Sequence, residues 1–207
     1  MTRQYQCDNQ QPLEQQFTLA GAGLSLWSQW LSADDSDEIL QILLQQLPWS
    51  QDSIMMFGKP VAIPRYQVWM GEHHCIYRYS GTTFRPQAWH PLVKQLTENV
   101  SAFLHRRFNC VLLNAYHNGQ HHMGWHADNE PELGHDPAIA SLSLGASRRF
   151  ELRHRQQPWQ MSVDLTTGSL LLMSEGMQHS WQHRLPKQSR VQDCRINLTF
   201  RYIGEAP

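Results

Sequence analysis

The chain has 207 residues, enough for one domain that buries its own hydrophobic core. Apolar residues make up 41% and charged residues 17%, values that exclude a disordered or fibrous chain. No apolar run approaches a membrane span and no basic segment leads into an apolar one, so we expect a soluble, cytoplasmic monomer without a membrane partner.

The net charge of −1 hides a gradient along the chain. Residues 1–57 hold one Lys or Arg against seven Asp or Glu, whereas residues 58–207 hold 16 against 11. The basic remainder is compatible with a nucleic-acid partner but does not require one. The four cysteines form no C-x-x-C pair, which favours reduced thiols over a disulfide framework or a zinc ribbon.

The first 35 residues are rich in Gln, Gly and Ser and predict a poorly ordered or irregular lead. Residues 36–47 then carry apolar side chains at helical spacing, with Ser36 as the N-cap and Pro48 after the end.

Residues 54–79 hold short apolar runs punctuated by Gly and Pro, typical of strands and loops. A second amphipathic helix is predicted within residues 91–108. We therefore expect residues 36–108 to form an N-terminal α/β extension packed on the rest of the chain.

The remainder of the chain has a β pattern. Short apolar runs separated by turn signals favour a double-sheet jelly roll, a double-stranded β-helix, over residues 109–204. The predicted class is thus α+β, mainly β, with one domain over residues 36–207. The predicted strands cover residues 110–116, 139–144, 149–153, 169–173 and 195–202.

A metal site is indicated by His126 and Asp128. Residues two apart on a strand point to the same face, so both side chains can reach one ion. With His183 from a later strand they make two imidazoles and one carboxylate, the facial set of non-haem Fe(II) oxygenases. The pattern alone is weak in a chain with twelve histidines. The competing ligands are His117, His121, His122, His135, His154 and His179.

The segment RINLTFR at 195–201 alternates strictly. Its polar face carries Arg195, Asn197, Thr199 and Arg201, and its other face is apolar. The polar face is either a solvated surface or a clamp for carboxylates, which guanidinium groups bind with two parallel hydrogen bonds. Asn114 and Tyr116 also share a strand face, and could bind the same ligand.

These residues belong to a set of motifs that resembles the AlkB family of 2-oxoglutarate- and Fe(II)-dependent dioxygenases, in its nucleic-acid alkylation-repair branch. The resemblance covers about residues 53–203 in the family's order and excludes residues 1–35. Its motifs are FGK at 57–59, IPR at 63–65, YRYSG at 77–81, NAY at 114–116, WHADNE at 125–130, IASLSLG at 139–145, WQHRLP at 181–186 and RINLTFR at 195–201.

The resemblance implies Fe(II), 2-oxoglutarate and O2 as cofactor and co-substrates. Its implied catalytic iron ligands are His126, Asp128 and His183. It further implies that Arg195 pairs with the distal carboxylate of 2-oxoglutarate and that Arg201 lies near the end chelated to iron. The implied co-substrate pocket is completed by Asn114, Tyr116 and Asn197.

The same resemblance implies a substrate site and a role in nucleotide recognition for the N-terminal α/β extension, residues 36–108. Glu130 matches an acidic position that reads the exocyclic amino group of the damaged base, and Tyr79 an aromatic position facing it, with Tyr77 nearby. Arg65 lies in another of the matching motifs and is expected on the substrate side. Phe57 is either an apolar wedge that fills the gap left by a flipped base or part of a buried strand.

The expected activity is oxidative demethylation of 1-methyladenine and 3-methylcytosine in DNA or RNA, on a base flipped out of the stack. The alternatives are hydroxylation of RNA or protein, a zinc hydrolase with the same ligands, and a non-catalytic nucleic-acid-binding domain. Four arginines between 148 and 155 either contact phosphates or lie on a solvated strand and its turn. They are Arg148, Arg149, Arg153 and Arg155.

Overall fold

The structure is a computed structural model that describes residue 5 and residues 13–19, 21–56, 59–79 and 82–204. Helices in this part are α1 (Ala33–Gln46), α2 (Pro91–Leu104) and the short α3 (Met177–Ser180). The first strands are β1 (Gln15–Leu19), β2 (Ala22–Trp27), β3 (Ser53–Met56), β4 (Lys59–Ala62), β5 (Tyr66–Gly71), β6 (Tyr77–Tyr79) and β7 (Thr82–Phe84). The later strands are β8 (Cys110–Tyr116), β9 (Met123–His126), β10 (Ile139–Gly145), β11 (Arg148–His154), β12 (Gln160–Leu165), β13 (Leu170–Met173), β14 (Trp181–Leu185) and β15 (Arg195–Arg201).

The strands β8 to β15 form the predicted jelly roll. The major sheet contains the order β13-β10-β15-β8, and the minor sheet has the order β12-β11-β14-β9. The chain crosses repeatedly from one sheet to the other, so β8 and β15 are neighbours although 78 residues separate their ends. This is the double-sheet arrangement of a jelly roll, which confirms the predicted fold class.

Within residues 1–35, which the sequence predicts to be a poorly ordered or irregular lead followed by short structure, residues 15–27 contain two strands. Strands β1 and β2 form a hairpin, and β2 continues the major sheet by pairing with β13. Leu24 and Leu26 are buried there, so the hairpin supplies core residues that the Gly- and Gln-rich composition hid. At the opposite edge β5 pairs with β8. The major sheet therefore crosses the expected boundary between residues 36–108 and residues 109–204.

Helix α1 begins three residues before its predicted start. Ser32, not Ser36, is the N-cap, and its side chain accepts a hydrogen bond from the backbone amide of Asp35. Ser36 lies inside the helix, where its hydroxyl donates to the carbonyl of Ser32. Helix α2 ends at Leu104, four residues before the predicted limit, because His105 adopts a left-handed conformation with φ of 51°.

Both long helices cover the outer face of the major sheet. Ile39 and Leu43 of α1 and Leu96 of α2 are buried against apolar side chains of β8, β10 and β15. A second cluster, with Leu152 and Leu171, fills part of the space between the two sheets. Within the described residues, no helix is long and apolar enough to cross a membrane.

Three strands of the minor sheet were missed or left unplaced by the sequence patterns. Strand β9 has only four residues, too few to show an alternation, whereas β12 was missed although its six residues alternate between polar and apolar side chains. Strand β14 alternates correctly but spans only five residues. Strands β12 and β14 both pair with β11, and β9 pairs with β14. This pairing, rather than the length of each segment, makes β9 and β14 strands of the sheet.

Candidate metal centre and co-substrate pocket

The three predicted metal ligands meet between the two sheets. His126 ends β9 and is paired with His183 of β14, and Asp128 follows just beyond the end of β9. One candidate ligand atom from each residue lies within 4.8 Å of the other two. The imidazole centroids of His126 and His183 are 4.2 Å apart at an interplanar angle of 66°, so the rings converge edge to face.

An irregularity in the pairing of β9 and β14 determines which side chains of β9 point into the pocket. His183 pairs with His126 and Leu185 pairs with Met123, so two residues of β9 lie opposite Arg184 alone. Such a bulge changes the side-chain alternation, which lets His126 and Met123 both line the pocket. Between them, Trp125 lies under the guanidinium groups of Arg153 and Arg184, with their Cζ atoms 4.4 and 4.5 Å from the ring centroid.

The two imidazoles are held neutral. His126 Nδ1 lies 2.9 Å from the carbonyl of Gly124, which can only accept, so Nδ1 carries the proton and Nε2 keeps its lone pair. Burial lowers the pKa of His126. Burial, together with the neighbouring His126, also lowers the pKa of His183 to about 3. Neutral imidazole is the form that binds a metal.

The carboxylate of Asp128 is fixed from two directions. Arg201 donates from Nη2 to Oδ1 over 2.7 Å, and both side chains are almost fully buried. Burial opposes ionisation, but the charge of Arg201 and its hydrogen bond to the carboxylate outweigh it and keep the pKa of Asp128 below its usual value. The backbone amide of Asp128 donates to Gln178 Oε1 over 2.9 Å. Gln178, on the four-residue helix α3, gave no sequence signal.

The polar face of β15 is buried, which excludes a solvated strand surface. Arg195 is 2% exposed and donates from Nη2 to Ser143 Oγ at 2.9 Å and to Asn197 Oδ1 at 2.7 Å. Ser141 also donates to Asn197 Oδ1, at 2.8 Å. The two serines were not predicted, although their alternation within β10 could have indicated them. The Nε atom of Arg195 is buried without a hydrogen-bond partner among the described residues, as suits a group awaiting an anion.

The two arginines of β15 mark opposite ends of one cavity. Five residues of strand lie between them, so their backbones are roughly 20 Å apart. Of the two, Arg201 donates to Asp128. Burial lowers the pKa of Arg195 to about 10, so the group stays charged at neutral pH. Asn114 and Tyr116 line the same cavity, with the Arg195 guanidinium carbon 5.6 Å from the Tyr116 ring centroid. The predicted co-substrate residues are therefore together.

A second cavity adjoins the metal triad. It shares Leu112, Met123, His126, Asp128 and Arg201 with the first cavity. Its further lining is Arg65, Gln67, Trp69, Phe84 and Glu130. Arg65 is buried and donates from Nε to Asn114 Oδ1 at 3.0 Å, so it links the two cavities. Trp69 and Phe84 were not predicted as lining residues. The expectations for Phe57, Tyr77 and Tyr79 concern a residue and side chains outside those the structure describes.

The competing histidines lie elsewhere. His117 stacks on Tyr66 with ring centroids 4.6 Å apart, and His154 contacts Trp159 and Trp181. His179 is exposed on α3. Within the described ranges, His126, Asp128 and His183 form the single group of three residues that could hold a metal ion.

The donor set fits iron. Two neutral imidazoles and an ionised carboxylate on one side of an ion are the ligands of non-haem Fe(II) oxygenases, which leave positions open for other ligands. The adjoining cavity carries the cationic groups that a dicarboxylate requires. A hydrolytic zinc site would need no such pocket.

Comparison with known proteins agrees with this geometry. The sequence model of the 2OG-Fe(II) oxygenase superfamily matches residues 23–201. The chain is 35% identical over 205 residues to alpha-ketoglutarate-dependent dioxygenase alkB homolog 3 of Homo sapiens, covering 93% of this chain and 71% of that protein. It is 36% identical over 180 residues to the DNA oxidative demethylase ALKBH2 of Bos taurus, covering 82% of this chain and 65% of that protein.

Solved structures show the same fold at lower identity. The structure of OsALKBH1 superposes with a TM-score of 0.62 at 18% identity, over 92% of this chain and 99% of that one. A prolyl hydroxylase from Trichoplax adhaerens, in complex with a hypoxia inducible factor peptide, reaches a TM-score of 0.59 at 15% identity, over 87% of this chain and 83% of that one. With its ligand triad, its buried arginines and a sequence match over most of its length, this chain belongs to the AlkB family of 2-oxoglutarate- and Fe(II)-dependent dioxygenases.

Proposed function

We propose that this protein repairs alkylated DNA by oxidative demethylation of 1-methyladenine and 3-methylcytosine. The observation that carries the proposal is that two cavities meet at one metal triad, one built for an anion and one for a flat, partly polar ligand. Its relative from Bos taurus is named a DNA oxidative demethylase, which supports a nucleobase as the substrate.

His126, Asp128 and His183 would hold the iron. Fe(II) with 2-oxoglutarate and O2 supplies oxidative chemistry in which one oxygen atom enters an N-methyl C–H bond, the co-substrate becomes succinate and CO2, and the hydroxymethyl group leaves as formaldehyde. Arg195, held by Ser143 and Asn197, binds the carboxylate of 2-oxoglutarate far from the metal.

Arg201 keeps Asp128 ionised and oriented, and it lies beside the end of the co-substrate that reaches the metal. Arg201 lines both cavities, so it would lie next to both the co-substrate and the base. Asn114 contributes to both sides, since its amide oxygen accepts from Arg65 while its side chain lines the co-substrate cavity.

The second cavity suits a cationic methylated base. Trp69 and Phe84 supply apolar surface, and Glu130 supplies a carboxylate. Both proposed lesions carry a positive charge, whereas the normal bases are neutral, so the carboxylate favours the lesion. Tyr77, Tyr79 and Phe57 are proposed to complete the contact with the flipped nucleotide and the duplex around it.

The decisive experiment incubates purified protein with Fe(II), 2-oxoglutarate and an oligonucleotide that carries one 1-methyladenine. We expect formaldehyde, succinate and repaired adenine in equal amounts, measured by mass spectrometry. An unmodified oligonucleotide is the control. Succinate without repaired base would contradict the proposed substrate, and a protein that binds iron but forms neither product would contradict the proposed activity.

The same assay with single-stranded DNA, duplex DNA and RNA of one sequence ranks the nucleic-acid partners. Faster turnover on RNA than on both DNA forms would replace DNA by RNA in the proposal. We also propose that the protein acts as a cytoplasmic monomer, a compartment supported by the free thiols of Cys75, Cys110 and Cys194. Light scattering on the purified protein tests the monomer.

A further inference from the structure

Arg148 is a buried arginine outside the metal centre. It begins β11 and is 1% exposed, whereas its neighbour Arg149 is exposed. A buried guanidinium is costly unless its donors are used, since burial disfavours its charge. The location of Arg148 excludes both expectations from the sequence, a phosphate contact and a solvated strand.

The donors of Arg148 are directed at two loops. Nη2 donates to the carbonyls of His121 and Pro186 over 3.0 and 2.7 Å, and Nη1 donates to the carbonyl of Asn118 over 3.3 Å. Nε donates to Gln188 Oε1 over 3.2 Å. One side chain therefore joins residues 117–122 to residues 186–188.

These two loops connect the strands that carry the site. Residues 117–122 lead from Tyr116 on β8 towards His126 on β9, and residues 186–194 lead from β14, which carries His183, to Arg195 on β15. The loops also contact each other directly. The backbone amide of Gln188 donates to the carbonyl of Gly119 over 2.8 Å, and the amide of Gly119 donates to the carbonyl of Val191 over 2.8 Å. A Cβ on Gly119 would lie 1.8 Å from the Gln188 carbonyl oxygen. Arg148 therefore joins the two loops at the same end of the jelly roll as Arg195.

Arg148 also reaches the co-substrate pocket through Tyr116. Its Cζ atom lies 5.9 Å from the centroid of the Tyr116 ring, and that of Arg195 lies 5.6 Å from the same centroid. Tyr116 is 4% exposed and lines the pocket. Two guanidinium groups therefore hold one aromatic ring, an attractive contact in a desolvated place.

We propose that Arg148 is a positioning residue for 2-oxoglutarate: by tying the two loops together and holding Tyr116, it sets the place of Arg195 and hence the affinity for the carboxylate distal to the metal. This rests on the proposed co-substrate pocket but not on the nucleic-acid substrate. The contribution of Arg148 to binding should be specific to dicarboxylates. Arg148 lies near Arg195, which is proposed to bind the distal carboxylate, whereas Arg201 lies at the metal.

The test measures binding of 2-oxoglutarate to the Mn(II)-loaded protein by calorimetry, with no nucleic acid present. For Arg148→Met we expect a dissociation constant at least about tenfold higher, in line with a misplaced charged contact. Binding of 2-oxobutyrate, which lacks the distal carboxylate, should change less than about threefold, since only a contact to that carboxylate is lost. Arg149→Met, the same change at the adjacent exposed position, should leave both constants unchanged.

Kinetics give a second readout. The KM for 2-oxoglutarate should rise in Arg148→Met while kcat at saturating 2-oxoglutarate stays close to that of the unmodified protein. Should Arg148→Met fail to fold, Gln188→Met removes the acceptor of Arg148 Nε and of the Arg149 backbone amide but keeps the three carbonyl contacts of Arg148, and it should weaken 2-oxoglutarate binding in the same direction by less.

Unchanged binding of 2-oxoglutarate in a folded Arg148→Met protein would overturn the proposal. Equal weakening of 2-oxoglutarate and 2-oxobutyrate would also overturn it, because that result means general damage to the pocket. If neither the unmodified Mn(II)-loaded protein nor its variants bind 2-oxoglutarate, the co-substrate pocket itself is refuted. That result differs from normal binding in both the unmodified protein and Arg148→Met, which refutes only the role of Arg148.

Discussion

His183 and His179 lie four residues apart but have opposite surroundings. His183 is 4% exposed and faces His126 and Asp128, whereas His179 is exposed on α3. We predict that His183→Ala abolishes stoichiometric binding of Co(II), a spectroscopic substitute for iron, because one of three protein ligands is lost. His179→Ala should titrate like the unmodified protein. Loss of Co(II) binding in His179→Ala alone would mean that the wrong histidine is assigned to the metal.

Glu130 is the acidic side chain on the base side of the metal. It is half-buried in the second cavity, and in sequence it lies four positions after His126 and two after Asp128. We predict that Glu130→Gln lowers repair of 1-methyladenine about tenfold or more, because a cationic base loses its counter-charge.

The control for Glu130→Gln is the conversion of 2-oxoglutarate in the absence of a nucleic acid. Turnover of 2-oxoglutarate without nucleic acid should remain, since Glu130 does not line the co-substrate cavity. Repair of a neutral methylated base should fall less than repair of a cationic one. An equal loss for both bases would remove charge recognition from the role of Glu130.

At the scale of elements, the short helix α3 couples the N-terminal hairpin to the metal centre. Gly176, its N-cap, has φ of 87°, and a Cβ there would lie 1.8 Å from the carbonyl oxygen of Gly21 in the β1–β2 turn. Two positions later, Gln178 accepts from the amide of Asp128. The close contact between two backbones is therefore part of how Asp128 is held.

We predict that Gly176→Ala lowers the free energy of unfolding by about 2 kcal/mol or more, from backbone strain and the clash with Gly21. Urea unfolding measures the change, and Co(II) titration of the same protein should show weaker binding. Gly204→Ala is the matched control, because a Cβ there meets nothing within 4 Å. Equal stability of the two variants would show that the turn and α3 do not constrain each other.

At the scale of the whole molecule, the major sheet extends the jelly roll at both edges. The β1–β2 hairpin continues it beyond β13, and β5 continues it beyond β8. Leu24 of β2 is fully buried in the cluster between the sheets, next to residues contributed by the last third of the chain. The first described strands are thus integral to the folded unit.

This placement predicts unequal effects of two leucine truncations. Leu24→Ala should cost about 2–5 kcal/mol of stability, because it leaves a cavity in a closed core. Leu13→Ala should cost less than about 0.5 kcal/mol, because that side chain is 40% exposed. Denaturant unfolding monitored by tryptophan fluorescence compares them, and similar losses would mean that the hairpin is only loosely attached.

Patterns within single elements were readable from the sequence. The alternation of RINLTFR separates Arg195 and Arg201 from Ile196 and Phe200, and the structure keeps that division, with the apolar side in the helix-covered core. The alternation of side chains between the two faces is a local property of a strand. The division into a polar and an apolar face could therefore be predicted without knowing which strands lie beside β15. His183 was different, because its own spacing did not separate it from the other histidines and only the arginine segment RINLTFR downstream of it favoured it.

Contacts between distant segments were not readable. Gln178 reaches Asp128 across 50 residues, Arg148 reaches three carbonyls in two loops, and the bulge in β9 exists only because β14 lies beside it. The sequence by itself determined the jelly roll, the ligand types and the polar strand face, since these follow from periodicity and motif. Only the tertiary structure decided which side chains hold the ligands in place, because such contacts depend on strand pairing and loop closure over long separations.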